Sequence, residues 1–98
     1  MIIKVLDQVQ NCYTAENGAV VGKALQHIFQ TGEKVTISFA GVRDIPTSFV
    51  NMAFVPLLDH YRLHEIHSRL TIMDATRQIR EIIDRRLEFE EGRKYSNA

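Results

Sequence analysis

Residues 35–58 read VTISFAGVRDIPTSFVNMAFVPLL, and this stretch decides the fold. Val35, Ile37 and Phe39 alternate with Thr36, Ser38 and Ala40, the two-residue period of a strand. Gly41 ends that strand, because glycine takes turn conformations closed to other residues. Pro46 holds Ile45 extended, so the next helix starts at Pro46 or just after it. Thr47 and Ser48 then stand at the helix N-terminus, where a hydroxyl oxygen accepts from a free backbone N–H for about 1 kcal/mol. A phosphate at this exposed corner gains from the positive end of the helix dipole. Arg43 favours that charge and Asp44 opposes it. Thr47, Ser48, Arg43 and Asp44 are therefore the candidate phosphorylation or partner-contact residues. No catalytic constellation accompanies them.

The helix read over residues 47–61 carries more apolar surface than a sheet can use. Phe49, Met52, Ala53 and Leu57 form one stripe, and Val50, Phe54, Leu58 and Tyr61 form a second. At about 100° per residue the two cover well over half the circumference, where packing on a sheet takes roughly a third. Two readings stay open. The helix is wedged between the sheet and a neighbouring helix, or Phe54, Leu58 and Tyr61 form the interface of a homodimer or of another protein partner. Pro56 removes one helical hydrogen bond, which predicts a kink or a break into two shorter helices.

Outward from this centre, residues 2–6 read as a strand and residues 7–14 as unassigned. Over residues 17–30, Val20, Val21, Ala24, Leu25, Ile28 and Phe29 recur at helical spacing, and Gly32 is the stop. Residues 70–73 alternate as a strand. Asp74 or Thr76 caps a last helix carried by Ile79, Ile82, Ile83 and Leu87. Residues 90–98 are polar and read as a frayed, flexible tail. The order is β-α-β-α-β-α, which predicts an α/β fold: a small, mostly parallel or mixed sheet covered by helices. The first strand pairs antiparallel at an edge in the alternative version.

The chain of 98 residues suits a single domain, with a core over about 1–89. Its formal net charge is zero, so no bulk field draws it to nucleic acid or to an anionic membrane. A lone cysteine, Cys12, excludes an internal disulfide and reads as packing before nucleophile. The N-terminus shows no signal-peptide pattern and no run is long enough to span a bilayer, so a cytoplasmic location is expected. His60, His64 and His67 are spaced four and then three apart, which tempts a metal reading. A continued helix turns them toward Phe49 and Ala53, and a zinc site wants further ligands, so no metal and no cofactor are expected. Arg77, Arg80, Arg85 and Arg86 interleave with Glu81, Asp84 and Glu88 as a solvated, salt-bridged face rather than a nucleic-acid stripe. Arg77 and Arg80 are mildly unfavourable to the helix dipole, and an acidic partner is one reading of them.

The chain also resembles a known family. The residues that carry the resemblance are Gly18, the strand at 35–39, Gly41-Val42, Ser48-Phe49, Ala53-Phe54 and the late strand and helix over 70–83. Over about residues 18–87 it is similar to the STAS-like domains of unknown function found in bacteria and their mobile elements. Those are relatives of the sulfate-transporter and anti-sigma-factor-antagonist domain. The resemblance implies a small α/β module that binds proteins in a regulatory role and does not catalyse. In the antagonists, a serine of an Asp-Ser-Ser-Gly signature opens the corresponding helix, and its phosphorylation by an ATP-dependent kinase breaks a complex. The matching positions here are Pro46-Thr47-Ser48-Phe49, which keep the hydroxyls and lack the acidic residue and the glycine. The implied function is a partner-switching module reading residues 41–49, with a kinase-like ATPase or another regulator as partner. A structural homodimer joined through the 49–61 helix, without a phosphorylation switch, is the alternative.

Overall fold

The structure is a computed structural model, and it describes residues 1–95. The chain runs β1 (Ile2–Lys4), α1 (Val5–Gln8), α2 (Ala15–Gln30), β2 (Val35–Ser38), α3 (Thr47–Ala53), a 3-10 helix (Val55–Asp59), α4 (Leu63–Arg69), β3 (Leu70–Met73) and α5 (Arg77–Lys94). The strands form one sheet in the order β1-β2-β3, and both pairings are parallel. The α/β reading therefore stands, with the first strand parallel and not antiparallel. Right-handed crossovers that step the same way along a sheet place their helices on one face.

The register shows which face that is. Ile3, Ile37 and Ile72 lie in one row across the sheet, and Val35 pairs with Leu70. Ile37 is fully buried, with Val35 and Leu70 nearly so, so this row faces the helices. Ile2 and Thr71, offset by one residue, point the other way and are exposed. That alternation is what a sheet with one covered face requires.

Thr14 caps α2 by accepting from the Asn17 N–H at 3.1 Å, and the helix starts two residues earlier than its apolar spacing suggested. It stops at Gly32, which takes a φ of +81°. Gly18 and Gly22 sit one turn apart on the face of α2 that meets α3. A Cβ at Gly18 would collide with the Phe49 carbonyl, and one at Gly22 with the Met52 carbonyl. The two helices thus approach backbone to backbone. Arg69 fastens the far end of α2: its guanidinium donates to the Phe29 carbonyl at 2.6 Å and lies 4.4 Å over the Phe29 ring. A cation is favoured at this carbonyl-rich helix end.

The long apolar helix is not one helix. α3 stops at Ala53, and Pro56 enters the 3-10 helix in its first turn, where a missing N–H does least harm. This break folds both apolar stripes inward. Phe54 and Leu58 are enclosed by their own chain, Phe54 lying 6.3 Å from the Phe39 ring. Tyr61 is half-buried and packs edge-on to Phe29 at 5.2 Å. The interface expected around Phe54, Leu58 and Tyr61 is corrected accordingly: the first two offer no surface to a second copy. The physical reason is that the break lets a short segment press against sheet and helix at once.

Two further boundaries move. α4 occupies residues that were expected to lead directly into the strand, and α5 stays helical through Lys94, so the fraying expected from residue 90 does not describe residues 90–94. The rest of that expected tail, residues 96–98, lies outside the described residues. Side chains hold the end of α5 down. Lys94 donates to Asp59 at 2.9 Å, the Tyr95 hydroxyl to the Leu58 carbonyl at 3.2 Å, and Arg86 to Asn51 at 3.0 Å. Glu91 accepts from the Leu63 N–H at 2.6 Å and from Arg62 at 3.2 Å, so α5 caps the start of α4.

That bond lowers the Glu91 carboxyl below the ordinary glutamate value of 4.5, with the Leu63 N–H as the main cause and Arg62 adding to it. A carboxyl depressed in the folded state stabilises the fold above its unfolded value and loses that contribution as pH falls through the folded one. Urea melts between about pH 6 and about pH 3 should therefore show Glu91→Gln with a flatter acid limb than the parent. Parallel acid limbs would show that the cap carries no linkage.

Candidate functional site

The carboxyl ends of the strands carry the corner at residues 41–49. The Val42 N–H donates to the Phe39 carbonyl at 2.9 Å, closing a turn in which Gly41 has a φ of +85°. Along the loop that follows, Val42 and Ile45 are buried while Arg43 and Asp44 are exposed. Burial of the first pair fixes the second pair outward.

α5 braces this loop from its own first turn. Gln78 accepts from the Ile45 N–H at 3.1 Å and donates to the Ile45 carbonyl at 3.0 Å. The Thr76 hydroxyl donates to the Arg43 carbonyl at 2.8 Å and also accepts from the Ile79 N–H, capping α5. Of the two expected caps, Thr76 is the one used. Ser38 adds a third clamp. It is buried, donates to Asp74 at 2.7 Å and accepts from the Ala40 N–H at 3.2 Å. Asp74 takes a φ of +56°, a backbone region that asparagine and aspartate tolerate best among residues other than glycine. The ends of β2, β3 and α5 are thus tied to one another beneath the exposed loop.

Thr47 and Ser48 are exposed at the start of α3. Their capping role is corrected. Pro46 occupies the N-cap position, and no side chain caps the helix. Among the described residues neither hydroxyl is engaged in a hydrogen bond, so both remain open to solvent on a braced backbone. Arg43 and Asp44 share the corner, and no pair among these four residues forms an ion pair among the described residues. Sequence reasoning missed Gln78, Ser38 and Asp74. Ser38 had a signal, a serine at the end of an otherwise apolar strand row. Gln78 had none, since its partner lies 33 residues away.

The histidines are dispersed. His60 follows the 3-10 helix, while His64 and His67 lie on the exposed side of α4. Among the described residues no group of three histidine, cysteine or acidic side chains is placed to hold a metal ion. Cys12 is buried, and that burial pushes its thiol up to about 11. A thiol that high is almost wholly protonated at neutral pH and is a poor nucleophile. In the native protein at about pH 8, a disulfide reagent should modify Cys12 at least about a hundredfold more slowly than in urea-unfolded protein. Comparable rates would place the thiol at the surface.

No helix among the described residues is long and apolar enough to cross a membrane. Comparison with curated proteins and with solved structures yields no match. A family model matches residues 3–80, from β1 into the first turns of α5, and its description is STAS-like domain of unknown function (DUF4325). With the three parallel strands, the one-sided helix layer and most of its length covered, this chain belongs to the STAS-like domains of unknown function.

Proposed function

We propose that the chain is a non-catalytic, regulatory interaction module whose protein partner reads residues 41–49. One observation carries this reading: Thr47 and Ser48 stand exposed and unengaged on a backbone that Gln78, Thr76 and Ser38 hold rigid. A rigid exposed corner lowers the ordering penalty of association, which is where affinity is commonly lost. The module works as a partner switch. A phosphate on Ser48 or Thr47 adds close to two negative charges beside Asp44 and disfavours a partner fitted to the neutral corner. A kinase-like ATPase is the partner class that this mechanism calls for. A bacterial cytoplasm suits a chain whose lone thiol is buried and protonated. No cofactor is required.

The test is a capture experiment from the native host with the parent protein, with Ser48→Glu and with Arg43→Ala. The parent should retain a discrete protein partner, and each variant should lose it by at least about tenfold while melting within about 0.5 kcal/mol of the parent. A partner retained equally by all three proteins would overturn the assignment to this corner.

A further inference from the structure

β3 ends the sheet, and among the described residues no strand pairs with its far edge. The Met73 carbonyl turns toward β2, where it accepts from the Phe39 N–H at 3.0 Å. Main-chain groups alternate sides along a strand, so the N–H and C=O of Ile72 face the open edge. Such groups are a template for one more strand. Beside them lies a groove of about 180 Å³ between α4, β3 and α5. Its floor is apolar, formed by Ile66, Leu70, Ile72, Ile83 and Leu87. Its rim carries Arg80, His67 and Asp84.

The charge on this side of the molecule is lopsided once internal bonds are set aside. The adjoining hollow contains Arg62, His64 and Glu91, and Glu91 is already committed to Arg62 and the Leu63 N–H. That leaves Arg80 and two imidazoles against Asp84. Each crossover in this sheet leads into the next strand position, so the position beyond β3 is the one a fourth strand takes. Residues 96–98 span at most about 10 Å, less than a turn plus a strand the length of β3 needs. The occupant therefore comes from outside residues 1–98.

We infer that the β3 edge and its groove receive an extended segment of a protein partner in which aliphatic and acidic residues alternate. Its main chain pairs with Ile72, one aliphatic side chain enters the groove, and acidic side chains meet Arg80 and His67. Strand addition of this kind takes affinity from main-chain bonds and specificity from alternate side chains. The surface lies on α4, β3 and α5, so the inference stands apart from the corner at residues 41–49.

Two seven-residue peptides with blocked ends test it: valine alternating with glutamate, and valine alternating with lysine. Amide spectra of the full chain are followed during titration, together with exchange of the Ile72 amide. The acidic peptide should shift the amides of residues 70–73 saturably and slow Ile72 exchange at least about tenfold. The basic peptide should bind about tenfold more weakly or not at all, and Arg80→Gln should weaken the acidic peptide about three- to tenfold. Lys23→Gln, on the exposed side of α2, should leave binding unchanged. The inference is overturned if the acidic peptide leaves residues 70–73 unshifted, if the two peptides bind alike, or if Arg80→Gln has no effect. It is equally overturned if Ile72 is already protected in the free protein in proportion to its concentration, because a second copy then holds the edge.

Discussion

Replacing Gly22 by alanine should destabilise this protein by about 2–4 kcal/mol, a large share of the 5–15 kcal/mol that holds a typical domain folded. An alanine in mid-helix ordinarily stabilises by about 0.5–1 kcal/mol relative to glycine, so the expected sign is the reverse of the helix-propensity rule. The reason is the backbone of α3. A methyl group at Gly22 meets the Met52 carbonyl and then the main chain of Ala53, and neither can rotate away as a side chain could. The helices must separate along their whole contact, and Gly18, one turn earlier against Phe49, loses its own close approach with them. Gly92→Ala supplies the internal control. Gly92 lies in α5 with nothing near its missing Cβ, so that substitution should raise stability slightly. Thermal melts should separate the two variants by roughly 10–20 °C. Equal midpoints would mean that α2 and α3 do not touch through their backbones.

Gly22 also shows where sequence reading reaches its limit. The strand period at Val35, Ile37 and Phe39 and the helical spacing of Leu25, Ile28 and Phe29 report burial directly, so the order of elements was legible. The stop at Gly32 and the cap at Thr76 follow from local chemistry and were legible too. A pair of glycines four apart says only that something comes close, and what comes close is 30 residues away in the chain. The same holds for Gln78 and Ile45 and for Glu91 and Leu63, whose partners are set by tertiary packing. The two apolar stripes of residues 49–61 were visible, but choosing between core and interface needed the break at Pro56. In the candidate site, the exposure of Thr47 and Ser48 was legible from the turn that precedes them. Their freedom from capping was not, because Pro46 takes the cap position without offering a side-chain acceptor.

The break at Pro56 sets up the second large effect. Phe54→Ala should cost about 3–5 kcal/mol, the usual loss when a buried phenylalanine is truncated in a packed core. Phe54 is fully enclosed, and its ring stacks obliquely on Phe39 from the end of β2. It therefore couples the α3 turn to the sheet immediately below the exposed corner. Loss of that ring leaves a cavity under residues 41–49, whose only other braces are the hydrogen bonds from Thr76, Gln78 and Ser38. Urea melts measure the loss, and sedimentation of the folded fraction should show the same mass as the parent. Ser48→Glu supplies the contrast, since its side chain lies in solvent and its stability should stay within about 0.5 kcal/mol of the parent. A Phe54→Ala protein that kept its stability but changed its assembly state would place this ring at an interface instead of in the core. If truncation at residue 54 weakens the fold while a charge at residue 48 leaves it intact, the corner can be altered without disturbing its support. That separation is the physical requirement for a surface read by a partner and switched by a modification.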